Sequence, residues 1–188
     1  ALGAKFVQAE VTEILKSGHQ ITGVRLASGE VLNSNVVMNA AGAWAPKIAK
    51  TVGVDLPIDP TKRQVTVIET NVRPEKILPL LFLPSGLYVI HEGEGIFTVG
   101  KSFSDDYVGY DDFNWERKTF EDKIWSELVE YIPEFDRLKI MRGWAGLYEV
   151  NTMDDNAILG EWPGLKGFFL ANGFSGHGFQ QCHAVGRY

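Results

Sequence analysis

Asn172-Gly173-Phe174-Ser175-Gly176-His177-Gly178-Phe179-Gln180-Gln181 follows the apolar run Gly167-Phe168-Phe169-Leu170-Ala171 and precedes Cys182-His183-Ala184-Val185-Gly186-Arg187-Tyr188. The run has the length and apolar content of a short buried strand, and the segment from Cys182 reads as the opening turns of a helix. Three glycines lie between strand and helix, at 173, 176 and 178. Backbone without a Cβ can approach a ligand closely, and a helix N-terminus offers N–H groups and partial positive charge to an anion or an electron-rich ring. A tight strand-to-helix turn with no ligand accounts for the same residues.

The rest of the chain supplies the setting. It has 188 residues, 45% hydrophobic and 22% charged, which fits a globular protein of one or two domains. The net charge of −6 and the lack of a basic run argue against a nucleic-acid partner. Five Trp, six Tyr and eleven Phe suit a flat organic ligand or a plain core equally well. The lone Cys182 excludes an internal disulfide and a paired-cysteine metal site, and its solitude suggests a reducing compartment, hence the cytoplasm. No apolar stretch is long enough to span a membrane. The chain opens without a Met, on Ala1-Leu2-Gly3-Ala4-Lys5 as if on a helix tail, and closes at Tyr188 inside a helical run, so a fragment is expected.

In order, a strand from Phe6 to Val11 continues through Ile14-Leu15, returns as Ile21–Leu26 and turns again into Glu30-Val31-Leu32, a three-stranded antiparallel meander. Val36–Ala41 is apolar enough for a strand buried on both faces of a parallel sheet, with Gly42-Ala43-Trp44 and a Pro46-led helix to about Val52 behind it. A proline-rich connection leads to a strand over Arg63–Thr70, and a hairpin turns about Glu92-Gly93-Glu94-Gly95. Asp105–Asn114 is expected to be a solvated acidic loop, and Phe120, Ile124, Leu128 and Tyr131 put one amphipathic helix over Trp115–Tyr131. Leu138–Trp144 is a further strand and Ala145–Leu159 a polar excursion. His19 and His91 are assigned to the surface and His183 to a helix with no evident acid partner, whereas His177 lies inside the glycine loop. Arg142 is a candidate to hold a substrate carboxylate, with a structural ion pair as the alternative.

Three stretches in this order, Asn39-Ala40-Ala41-Gly42-Ala43-Trp44-Ala45, Trp144-Ala145-Gly146-Leu147-Tyr148 and Gly173–Phe179, resemble the serial motifs of the D-amino-acid oxidase, glycine oxidase and sarcosine oxidase superfamily of FAD enzymes. The excursion Tyr148–Asn156 is similar to its FAD-dependent oxidoreductase domain-containing protein 1-like branch. The resemblance implies an α+β fold: residues 1–54 as the remainder of an FAD-binding domain, 55–145 as a mixed, largely antiparallel substrate-domain sheet flanked by helices, and 146–188 as the return to the FAD domain. It implies non-covalent FAD near Val11, near Gly42-Ala43-Trp44, and beneath Phe174, Ser175, Gly176, His177, Gly178, Phe179 and Gln180. It leaves Arg142, Tyr148 and Gln180 as substrate-binding candidates and assigns no catalytic residue and no metal. The implied reaction is oxidation of a secondary or N-methyl amino acid by hydride transfer to flavin. The alternatives are a 2-hydroxy-acid or polyol-phosphate dehydrogenase, or a non-catalytic assembly protein retaining the fold.

Departures from the family pattern also count. Tyr148 stands where glycine oxidases carry a substrate-binding Arg, and Gln180 where monomeric sarcosine oxidases carry a Lys. No covalent-flavin Cys lies near Gly146, and no GxGxxG occurs in these residues. The fragment alone is expected to bind FAD weakly and to be inactive.

Overall fold

Turn residues and alternating apolar positions build the first sheet. In the computed structural model, which describes residues 3–187, β1 (Val11–Ser17), β2 (Gln20–Leu26) and β3 (Val31–Asn33) form the expected antiparallel meander. The first strand starts later than the sequence suggests. Residues 3–10 carry no regular structure, and Phe6 and Val7 are exposed, because only from Val11 does β2 offer a partner. Ala1, Leu2 and Tyr188, part of the expected terminal helices, lie outside the described residues.

Ile14 and Ile21 belong to a core completed from both ends of the chain: by Ala45, Ala49, Val52, Val54 and Ile58 from one side of the sequence and Leu165, Phe168 and Leu170 from the other. The second sheet has the order β10 (Ile158–Glu161), β11 (Phe168–Asn172), β4 (Val37–Asn39). β4 runs parallel to β11, with Leu170 opposite Asn39, and β10 runs antiparallel to it. Phe168, Leu170 and Asn172 point to the core at every second residue. β4 is parallel as expected but is not buried on both faces: Val36 and Met38 are 57% and 61% exposed. It is a three-residue edge strand, and an apolar run alone does not say which of its residues find cover. A 3₁₀ turn at Gly42–Trp44 leads into α1 (Ala45–Lys50), with Pro46 in the first turn where its missing N–H costs nothing. These elements form one compact unit, Ala1–Pro60 with Tyr148–Tyr188.

The other unit, Thr61–Leu147, is built on a five-stranded sheet of order β6-β7-β8-β5-β9. Its strands are β5 (Ile58–Glu69), β6 (Leu81–Phe82), β7 (Tyr88–Gly93), β8 (Ile96–Gly100) and β9 (Lys139–Asn151). Glu94 and Gly95 both have positive φ, 46° and 80°, the backbone of a type I′ hairpin turn whose twist matches the strands. Ile68, Leu87, Val89, Phe97 and Val99 pack under Phe120, Ile124, Leu128 and Phe135.

Several expectations need correction here. The helix over 115–131 is two helices, α2 (Arg117–Lys123) and α3 (Trp125–Tyr131), separated at Ile124 with φ −118°. The hydrogen bonds Ile124 N–H to Phe120 O and Leu128 N–H to Ile124 O cross the break, so the apolar stripe survives it. Tyr131 falls off that stripe and is exposed. β5 begins at Ile58, inside the supposed connection, and β9 runs on to Asn151, so the polar excursion shrinks to the turn before β10. The acidic loop is not simply solvated. Asp105 pairs with Lys123 at 2.8 Å, Asp106 pairs with Arg63, and Asp112 receives the buried ammonium of Lys62 at 2.7 Å. Bases on β5 and α2 face these acids, a pairing that local composition cannot show. His91 is buried rather than superficial: its ring stacks on Phe97 at 4.8 Å, and its Nδ1 accepts the Leu78 N–H.

Candidate functional site

The glycine loop connects β11 to α4 (Gly178–Val185), which starts four residues earlier than the sequence suggests, with His177 as the residue preceding its first turn. Phe179 and Gln180 therefore stand on the exposed first turn of the helix, Phe179 at 91% exposure. Gly173, Ser175 and Gly176 all have positive φ, 71°, 50° and 88°. For Ser175 this is a strained conformation that the surroundings must hold in place.

The end of β9 does that. The Asn151 N–H donates to Ser175 Oγ at 3.0 Å, and the Ser175 N–H donates to the Glu149 carbonyl at 3.3 Å. The ring of Tyr148 lies where a side chain on Gly176 would stand, 2.2 Å from an ideal Cβ. Asn151 and Phe174 come more loosely to the Cβ positions of Gly173 and Gly178, at 3.3 and 3.1 Å. Packing within the loop is thus by itself a reason for glycine at 176, beside the left-handed backbone of Gly173 and Gly176. The side chain of Asn151 also shapes the following turn, through Asp154 Oδ1 at 2.9 Å and the Met153 N–H at 3.0 Å.

Next to Tyr148 on β9 stands Glu149, whose carboxyl is influenced by the backbone N–H groups of Gly173 and Phe174. Burial pushes this carboxyl above the usual carboxylate range, against the opposing pull of those two amides. Its Oε2 is buried with no hydrogen-bond partner among the described residues. At the end of β11 the amide of Asn172 is fully buried.

The second feature of this unit is a cavity of about 490 Å³ beside β1, β4 and α1. Val11, Val37, Ala41, Trp44 and Ile48 give it apolar walls, and Glu10, Asn39 and Lys47 add polar groups. Asn39 shapes its floor: its Nδ2 donates to the Ala45 carbonyl at 3.0 Å and its Oδ1 accepts the Ala41 N–H at 3.1 Å, fixing the turn that carries Gly42-Ala43-Trp44. Ala43 is buried in that turn, while the Cβ direction of Gly42 is open.

The structure therefore brings Val11 and Trp44 to one cavity, and Tyr148 to the loop Phe174–Gly178. Arg142 belongs to the other unit, exposed, with its guanidinium 5.9 Å from the Trp144 ring. Three residues of consequence escaped the sequence reading: Asn39, Glu149 and Asn151. Asn39 had a legible signal, since a polar residue inside an apolar run is hydrogen-bonded if buried. Glu149 and Asn151 lay in the stretch Tyr148–Asn156 that carries the resemblance, but with Ala145–Leu159 read as a loop nothing pointed to their contacts.

A parallel strand pair with a small-residue turn and helix beyond β4, and a glycine loop and helix beyond β11, define an α+β protein whose candidate site lies outside strand C-termini. The chain belongs to the FAD dependent oxidoreductase family, whose profile matches residues 1–188. The FAD-dependent oxidoreductase domain-containing protein 1 of Bos taurus is 34% identical over 218 aligned positions, covering 100% of this chain and 45% of that protein. The glycine oxidase of Pseudomonas putida is 29% identical over 86% of this chain and 42% of its own length. The L-proline dehydrogenase structure from P. horikoshii superposes with a TM-score of 0.83 at 28% identity, over 95% of this chain and 47% of that one. The chain thus spans a little under half the length of these relatives. Among the described residues no helix is long and apolar enough to cross a membrane.

The residues present fit FAD. The cavity has the size and apolar lining of a site for a flat heterocycle, and the first-turn N–H groups of α4 suit an electron-rich ring edge.

Proposed function

We propose that the whole protein oxidises the C–N bond of a secondary or N-methyl amino acid. The observation that carries this reading is the likeness to L-proline dehydrogenase over 95% of the chain, because proline is itself a secondary amine. The likeness to glycine oxidase supports an amino-acid substrate more generally. FAD, when bound, supplies the two-electron acceptor for the C–H bond beside the amine nitrogen.

This chain's residues divide the remaining work. Val11 and Gly42-Ala43-Trp44 hold the nucleotide end of the cofactor at the cavity. Phe174 to Gln180 face its ring, where the N-terminus of α4 favours negative charge. The unit Ala1–Pro60 with Tyr148–Tyr188 is the FAD portion, and Thr61–Leu147 the substrate portion. Arg142 and Gln180 are the candidates for contact with the substrate carboxylate. Tyr148, a third candidate, also holds the loop in shape through Gly176. The exposed free thiol of Cys182 fits a reducing compartment such as the cytoplasm.

The test uses the full-length protein. It should purify yellow, and anaerobic sarcosine or proline should bleach the flavin while 2-hydroxy acids leave it oxidised. Bleaching by hydroxy acids alone would reassign the substrate class, and a colourless protein would reject the enzymatic reading.

A further inference from the structure

Within the glycine loop one residue other than glycine carries a left-handed backbone: Ser175, at φ 50°. Glycine would adopt that conformation at less cost, so the serine side chain needs a reason of its own. Its backbone N–H donates to the Glu149 carbonyl at 3.3 Å, as in a strand pair. A regular ladder would return a bond from the strand's next N–H to a backbone carbonyl. Here the Asn151 N–H goes instead to the Ser175 hydroxyl at 3.0 Å, and that hydroxyl donates on to the Gly173 carbonyl at 3.3 Å. One side-chain oxygen thus joins the end of β9 to the residue that follows β11. Asn151 is buried, so without that oxygen its N–H would be left unpaired away from water.

We propose that Ser175 is a positioning residue: its hydroxyl takes the place of a backbone carbonyl as the acceptor for β9, and so sets the course of the loop into the first turn of α4. Its effect on the cofactor rests on the reading of this loop as flavin-facing. The His177 N–H donates to the Phe174 carbonyl at 2.8 Å and closes the turn that leads into α4. Ser175 lies inside that turn, so tying its side chain to β9 fixes the place from which the helix starts. Alanine at this position would keep the strained backbone and lose the tie. Glycine would relieve the backbone and lose the tie, which separates the two reasons a residue could have for standing here.

The test uses full-length holoprotein with Ser175→Gly and Ser175→Ala. If the residue had only to occupy a left-handed turn, glycine would serve at least as well as serine. Instead, amide exchange at Asn151 should quicken about five- to tenfold in both variants, the scale of one lost hydrogen bond, FAD affinity should fall by a similar factor, and the flavin absorption bands should shift. The neighbouring Thr152 N–H, bonded to the Pro57 carbonyl at 2.9 Å, should keep its wild-type rate. Wild-type exchange at Asn151 in S175G would overturn the proposal, as would an equal rise at Thr152, the mark of general loosening. Quickened exchange with wild-type FAD affinity and flavin bands would overturn it too, by showing a tie that does not reach the cofactor. Should S175A not fold, S175G, whose backbone suits the turn, decides alone. If wild-type protein carries no FAD, the functional reading fails, while the ratio of Asn151 to Thr152 exchange in S175G still decides whether the hydroxyl holds the loop.

Discussion

Gly176→Ala tests how the loop is held. At Gly176 φ is +88°, and an added Cβ would come within 2.2 Å of Tyr148 Cε2 and 2.9 Å of Cδ2 and Cζ. Two independent costs arise. Placing an L-residue in the left-handed region costs about 1–2 kcal/mol. Forcing the tyrosine ring aside in a packed site costs about 1–3 kcal/mol more. The expected loss is therefore about 2–5 kcal/mol, read by urea denaturation of full-length holoprotein with flavin release and far-ultraviolet signal followed together. A double-mutant cycle with Tyr148→Ala separates the two. Without the ring, Gly176→Ala should cost only the backbone part, about 1–2 kcal/mol, and the other interactions of Tyr148 cancel between the legs of the cycle. An equal cost in both backgrounds would refute ring occupancy as the reason for glycine. A cost below about 0.5 kcal/mol in wild type would refute both parts.

Phe168 is fully buried at the centre of the core that both ends of the chain complete, so Phe168→Ala should destabilise by about 3–5 kcal/mol in the same denaturation assay. Lys62→Ala should cost no more than about 1–2 kcal/mol, because Asp112 and Glu116 retain access to water at 29% and 59% side-chain exposure; thermal unfolding would show it. The raised carboxyl of Glu149 gives stability a definite pH dependence. The folded chain holds a proton that the unfolded chain releases near 4.5, so folding binds a proton above that pH. Wild-type stability relative to Glu149→Gln should then fall as pH rises from 4.5 towards the raised value, as followed by urea midpoints across pH 4–8; a relative gain over that range would contradict the burial argument.

Much of the fold was legible because local signals carried it. Ser17-Gly18 and Ser28-Gly29 punctuated the meander, Glu94-Gly95 its hairpin counterpart, and Pro46 the start of a helix. The errors fell where partners distant in sequence decide. Val36 and Met38 look as apolar as Val37, yet only the pairing of β4 with β11 determines which of them is covered. Asp106 and Asp112 look like surface charge until Arg63 and Lys62 arrive from β5. His91 sat in a hairpin that suggested solvent, but the ring of Phe97 buries it. At the site, the structure adds a packing reason for one of the glycines: Gly176 makes room for the ring of Tyr148. Tyr148 was marked by the motif it closes, but its contact with Gly176 depends on a strand extension that the polar composition of Ala145–Leu159 concealed.

The discontinuous unit has a consequence for biosynthesis. Ile14, Ile21, Ala45 and Ala49 emerge before Thr61–Leu147, but the residues that close over them, Leu165, Phe168 and Leu170, follow only after all of it. At translation rates of roughly 5–20 residues per second, the first half of this core waits on the order of several seconds to twenty seconds beside the ribosome. The continuous unit can fold in that interval, while the meander waits for its partners in Leu165–Leu170. Until Phe168 emerges, Ile14, Ile21 and Ala49 lack the cover that β11 gives this core.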